Sequence, residues 1–521
     1  MFADLCDFDD GKDFEADLCI IGAGAAGISI ARAFIGSSVS VCLVESGGLK
    51  PEPDTQALYR GQTVNDASFP LDVVRARRFG GSTELWGAQC RPLDGIDFEH
   101  RSWVPNSGWP FGLEAIAPYY SEANEVCGLG PNDYGVEPWQ AKGLDATPFE
   151  QSRVSNRLWQ IGSPPMRFGA RYRPALQRAA NIRVLLHANA VEIDANAEMT
   201  RIDAVRLKSL DGPGATVRAR TFVLACGGIE NPRLLLASTN VSVTGLGNGY
   251  DLVGRFFMDH LHAPLALAVP KTSLSRFAVY HGGIAIDGTK VRLKAGLPEA
   301  VQRREELLNT CLNISVGVAG DRGPGYLALK RLVAALFFRT KHDTPWEDVR
   351  AVLRDVDGLV SGVCRRVFGP RVLWLTLNSE QVPNRDSRIT LDRRRDALGM
   401  PQSRLDWRLT TLEKRTARHL CLAVGEELER LGIARTQVQD WLLTEDNDWP
   451  ALEGQYHHIG TTRMHEDPKH GVTDSNCRVH GLANLYVAGS SVFPTSGYAN
   501  PTLTLVALAL RLADHLKREL A

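Results

Sequence analysis

The chain has 521 residues, of which 23% are charged and 44% hydrophobic, and its formal net charge is −1. That balance excludes a disordered or fibrous protein, and with no one-signed tail it does not imply bulk attraction to nucleic acid or anionic lipid. The length predicts two large domains or three, and a core that needs no covalent staples.

The acidic start, with Asp4, Asp7, Asp9 and Asp10, does not read as a secretory signal. No stretch reaches the roughly 18 uncharged apolar residues needed to span a bilayer. Ten cysteines lie scattered without a CxxC pair, so zinc-ribbon and thioredoxin readings fail and no metal site is predicted. Cys19, Cys42 and Cys226 fall in apolar strand-like runs, where a reduced cysteine acts as a small hydrophobe. A reducing, cytoplasmic setting is the expectation.

The first predicted strand is Asp17 to Ile21, followed by the turn Gly22-Ala23-Gly24-Ala25-Ala26-Gly27, a helix through Ile28 to Phe34 and a strand from Val39 to Glu45. In such a βαβ unit Gly22 permits the tight turn, Gly24 lets backbone approach a pyrophosphate, and Gly27 lets helix and strand pack closely. The helix N-terminus then faces the phosphates. Glu45 falls at the spacing, about 20 residues on, where an acid meets a ribose hydroxyl. This unit predicts dinucleotide binding without choosing between NAD and FAD. Two strands that run into glycine favour FAD: Thr221 to Gly228, and Asn484 to Gly489. Both read as strand ends meeting one extended cofactor, the alternative being ordinary strand–turn junctions.

Further strands are expected at 183–187, 204–207, 372–377 and 388–391. Helices are expected at 328–338, 345–354 and 411–431. The apolar stretch 331–338 has basic ends, which reads as a core helix with snorkelling ends rather than a membrane contact. These elements suggest a discontinuous cofactor domain, 1–265 with 455–521, and a substrate domain inserted at 266–454.

Near the end of the chain stand Tyr456-His457-His458-Ile459-Gly460 and Ala499-Asn500-Pro501-Thr502. A histidine here is a hydrogen-bonded core residue or a base. A metal is disfavoured because adjacent residues rarely point at one ion. Asn500 has the chemistry of an N-cap and Pro501 suits a first helical position, opening a buried helix that runs through Leu512.

Together these residues resemble the glucose-methanol-choline (GMC) oxidoreductases, from residue 17 to about 515. GAGAAG followed by Glu45-Ser46-Gly47-Gly48 is similar to the family's amino-terminal FAD signature. HHIGTTRM and NLYVAGSSVFPTSGYANPTLT are similar to its active-site signature, and Glu380 to Leu391 is similar to a segment of its substrate domain. Within the family the nearest likeness is to the pyranose oxidase, fructose dehydrogenase and gluconate dehydrogenase branch. The resemblance implies an α/β fold: a Rossmann-type FAD domain with an inserted α+β domain on an antiparallel sheet. It implies hydride removal from the CH–OH group of a small polar substrate, such as a sugar or polyol, with His457 as base and Asn500 holding the oxygen; the alternatives are a family member that uses FAD in a non-oxidative reaction and a non-catalytic FAD-binding protein. His458 is then structural. Reoxidation by oxygen, a quinone or another acceptor follows.

The FAD contacts it implies are Gly22, Gly24, Ala25, Ala26 and Gly27; Glu45 and Ser46; Gly81, Ser82, Leu85, Trp86 and Gly87; Val191; Cys226 and Gly227; Gly489 and Ser490; and Asn500, Pro501 and Thr502. Some relatives carry a flavin-bonded histidine where this chain has Leu85, so the FAD is expected to be non-covalent.

Overall fold

The computed structural model describes residues 1–64, 70–210, 212–318 and 370–521, with single positions between 319 and 369. The expected helices at 328–338 and 345–354, and the basic-apolar stretch between Lys330 and Lys341, lie outside the described residues but for those few positions.

The first sheet has eight strands. Five run side by side in parallel: Phe2–Asp4, Ile182–Leu186, Val41–Val44, Lys12–Ile21 and Gly214–Leu224. Leu18 to Ile21, Val41 to Val44 and Phe222 to Leu224 are almost wholly buried, as the continuous apolar runs of a parallel sheet require. Gly214–Leu224 serves two neighbours. Its first half pairs antiparallel with Ile202–Lys208, and its last three residues pair parallel with Leu485–Val487. The helix Ala25–Ala33 packs against the carboxyl-terminal helix Thr502–Leu520.

The second sheet is antiparallel along Ala434–Val438, Pro264–Pro270, Arg371–Ser379, Thr310–Val318, Thr289–Gly296, Ser155–Ile161 and Gln89–Cys90. The helix Thr411–Arg430 covers it, opened by a capping box between Thr410 and Glu413. Residues 89–90 and 155–161 belong to this sheet, and Gly61–Thr63 pairs with Pro401–Asp406. Sheet membership therefore does not follow a boundary at 265/266: hydrogen bonding recruits earlier chain to extend the inserted sheet's edge. Among the described residues no helix is long and apolar enough to cross a membrane.

Candidate active site

The carboxyl ends of the parallel strands open onto a cleft of about 470 Å³, where an open α/β sheet binds its ligands. Gly22, at φ +103°, makes the turn that only glycine makes easily. A Cβ there would stand 2.6 Å from the Ala225 carbonyl oxygen, and one on Gly27 would stand 1.9 Å from the Gly22 oxygen. Both glycines are demanded by the protein's own packing.

Gly24 is different. Its φ of −87° suits any residue, and a Cβ would meet only the Gly81 Cα, 4.0 Å away. It lines the cleft, so its missing side chain leaves room for a ligand. The helix behind it begins without a side-chain cap, which leaves first-turn N–H groups for an anion. The Glu45 carboxylate, at the edge of the same cleft, accepts the N–H of Ala23 and of Gly47, each at 2.9 Å. These features fit a dinucleotide laid from Glu45 across the turn.

Of the residues expected to hold the cofactor, all but two line this cleft: Gly22, Gly24, Ala25, Ala26, Glu45, Ser46, Gly81, Ser82, Leu85, Trp86, Gly87, Cys226, Gly227, Gly489, Ser490, Asn500, Pro501 and Thr502. Gly27 sits beneath the turn. Val191 borders a separate hollow with Glu192 and Arg206, whereas its neighbours Ala188 and Ala190 line the cleft. The strand Asn189–Ala195 has a register shift between Ala190 and Glu192, and Val191 is the extra residue at that bulge.

Asn500 is not an N-cap. The helix begins at Thr502 with Pro501 in the cap position and no side-chain cap bond. The Asn500 amide instead takes the indole N–H of Trp159 on Oδ1 at 3.1 Å and sets Nδ2 at 3.3 Å from His457 Nε2. On the other side, His457 Nδ1 is 2.9 Å from His260 Nδ1. The His457 backbone is held by Asp259, whose carboxyl accepts the N–H of Tyr456 at 3.0 Å and of His457 at 2.8 Å. Tyr456 has φ +64°, a strained position for a tyrosine, and this clamp holds it. The main chains of Met258 and Ile459 bridge antiparallel, bringing residues 197 positions apart face to face.

Burial is the main force on the site's titration. It holds His457 well below the usual histidine range, helped by His260, His458 and Lys294. It lowers His260 to about 4, His458 to about 3 and Lys294 to about 8. Lys294 Nζ sits 4.0 Å over the Trp159 ring. The imidazoles are therefore neutral at working pH, as a base must be.

Sequence reading missed Trp159, Asp259, His260 and Lys294, since no spacing relates them to residues 457 and 500. It also missed a charged wall. Arg75 and Arg77 border the cleft with Glu230 and Tyr59. Arg75 pairs with Glu230 at 2.8 Å and stacks 3.9 Å over the Tyr59 ring. Burial would raise Glu230, but Arg233, Arg75 and Arg77 outweigh it and hold it at about 2. Away from the cleft, Asp4, Cys6 and His187 gather at the surface, where His187 is bonded to Asp4 at 2.6 Å and to Glu52 at 3.0 Å.

Residues 383–509 match the family model described as GMC oxidoreductase. The chain is 25% identical to the fructose dehydrogenase large subunit of Gluconobacter japonicus, over 98% of this chain and 99% of that protein. It is 26% identical to paromamine 6'-oxidase of Streptomyces fradiae, over 95% and 90%. In fold it is similar to the formate oxidase of Aspergillus oryzae (TM-score 0.57, 16% identity, 98% and 99% covered) and to pyridoxine 4-oxidase from Mesorbium loti (TM-score 0.57, 16% identity, 96% and 99% covered).

Proposed function

We propose that this chain, a GMC oxidoreductase that uses FAD, oxidises the CH–OH group of a small polar alcohol, of the sugar or polyol class, with His457 as general base and Asn500 as the group that holds the reacting oxygen. The observation that carries this reading is the facing pair: His457 Nε2 and Asn500 Nδ2, 3.3 Å apart at the edge of the cleft.

An alcohol carbon yields its hydrogen readily only as its oxygen loses a proton. A hydroxyl entering between the two side chains finds a donor and an acceptor. The Asn500 N–H holds the oxygen, and the neutral His457 Nε2 takes the proton. Fixing both groups around one carbinol is an orientation effect, worth up to roughly 7 to 11 kcal/mol at its limit. When bound, FAD supplies the acceptor for the carbinol hydrogen. Residues Gly22 to Ala26 and Glu45 would hold its dinucleotide portion, with the start of the helix Thr502–Leu520 near the reacting end.

Leu85 lines the cleft and is 48% exposed. A leucine offers no nucleophile for a bond to flavin, so binding at this position is non-covalent. The sugar or polyol class rests on the polar pair and on likeness to enzymes named for fructose and paromamine.

The test is anaerobic stopped-flow with a panel of sugars, polyols and simple alcohols, following loss of the oxidised flavin absorbance. A substrate of this class bleaches the wild type, and His457→Ala slows that bleaching by roughly 10²- to 10⁴-fold. Bleaching that is indifferent to His457, or larger dependence on His458, refutes the assignment.

A further inference from the structure

We propose that His260 is a positioning residue for His457: it accepts the Nδ1–H of His457 and so fixes that ring with its Nε2 lone pair toward Asn500. The proposal rests on the reading of His457 as base.

The direction of every proton in the chain is set from its two ends. At the far end, His260 Nε2 lies 3.4 Å from the Ser496 carbonyl oxygen. A carbonyl only accepts, so His260 Nε2 carries the hydrogen. The neutral ring then has its lone pair at Nδ1, and His457 Nδ1, 2.9 Å away, must donate. At the near end, the Trp159 indole donates to Asn500 Oδ1 at 3.1 Å. An indole nitrogen cannot accept, so the amide's NH₂ is the end that faces His457. That group needs an acceptor, and His457 Nε2 provides it. The two ends share no atom and give the same answer. The opposite tautomer of His457 would set N–H against N–H at Asn500 and leave two lone pairs facing each other at His260.

The titratable groups around the pair are consistent with two neutral rings. Asp259 accepts the backbone N–H of His260 at 2.7 Å and of His457 at 2.8 Å, so its carboxyl is taken up by main chain rather than by either ring. His458 and Tyr456 flank His457 in the chain, and Lys294 approaches from the strand Thr289–Gly296. Neither His260 nor His457 has a carboxylate on its ring among the described hydrogen bonds. A neutral imidazole does here the orienting work that an acid does in other base–orienter pairs.

The experiment uses FAD-loaded protein labelled with ¹⁵N-histidine, of which the chain has 13, with the His457 signals assigned by difference from His457→Gln. The expected wild-type spectrum has a protonated Nδ1 and an unprotonated Nε2 at His457. His260→Leu should mix the tautomers and slow flavin reduction by roughly 10- to 100-fold, the range for losing a group that orients another. His260→Gln, which can still accept from His457 and donate to Ser496, should restore both. A wild-type His457 protonated at Nε2 overturns the proposal, and it decides the matter even if His260→Leu does not fold. An unchanged tautomer in folded His260→Leu also overturns it, as does a His260→Gln that behaves like His260→Leu. If the tautomer is as stated but no alcohol reduces the flavin, the proposed function fails and the positioning stands.

Discussion

Two glycines of one turn should respond in opposite ways to the same methyl group. Gly22→Ala puts a Cβ at φ +103°, 2.6 Å from the Ala225 oxygen and 2.8 Å from its carbon. The backbone strain costs about 1–3 kcal/mol and the overpacking a similar amount. Together they reach about 2–6 kcal/mol, a large share of the roughly 5–15 kcal/mol that holds a domain together. Gly24→Ala meets nothing nearer than 4.0 Å at a φ open to any residue. It removes unfolded-state freedom, a gain of about 0.4–1 kcal/mol, and weakens the N-cap by a comparable amount. The apo stability should thus change by less than about 1 kcal/mol. FAD affinity should nevertheless fall, because the methyl enters the space left for the ligand. Losing one or two charge-assisted N–H bonds of about 1.5–3 kcal/mol each weakens binding by at least about 10-fold. Thermal melts of apo protein and flavin titration separate the two effects. A Gly24→Ala protein with wild-type FAD affinity, or one whose apo form melts as early as Gly22→Ala, refutes the reasoning.

Acid precipitation should release yellow flavin into the supernatant; flavin that stays with the polypeptide would sink non-covalent binding. Asn500→Asp should reduce flavin as slowly as Asn500→Ala or more slowly, since it sets a negative charge beside a developing alkoxide. Neither change should cost a helix cap, so melting points within a few degrees of wild type are expected, and a large loss of stability would show that Asn500 is structural. His458, lowered to about 3 by burial, is neutral in the folded state and protonates near pH 6.5 when unfolded. Its contribution is present above pH 6.5 and is lost as pH falls toward 3, by a few kcal/mol in order of magnitude. Asp259 and Glu413, raised to about 7 by burial, push the opposite way between roughly pH 4 and 7. The clean measurement is therefore the melting-point difference between wild type and His458→Gln from pH 7.5 to 4.5. A difference independent of pH contradicts a buried neutral ring.

The first βαβ unit was legible because its demands are local. Turn, helix start and acid lie within some thirty residues, and Gly27 answers to the Gly22 carbonyl only five residues back, although Gly22 itself packs against distant Ala225. The proposed catalytic pair was legible as residue types but not as a structure. His457 and Asn500 stood out by their neighbours in sequence, yet what orients them came from strands 155–161 and 289–296 and from Asp259 and His260. Such partners are chosen by the packing of two sheets, and period and composition carry no trace of it. The Asn500 error has the same origin. Asn-Pro-Thr is a sound local signal for a helix start, but Trp159 and His457 offered the side chain better partners than the helix N–H groups. Val191 stands at a β-bulge, an irregularity that the period of the sequence does not announce.

The strand Gly214–Leu224 joins chain segments made at very different times. Its edge next to Lys12–Ile21 can form early in synthesis, but Leu485–Val487 and the residues after it arrive last. At about 5–20 residues per second, roughly half a minute to a minute and a half separates the emergence of Gly24 from that of Asn500. During that time the nascent protein has the turn from Gly22 to Gly27 without the far wall of the cleft. Flavin loading should thus wait for residues beyond 480, and a ribosome stalled before residue 480 should hold a chain that cannot retain FAD.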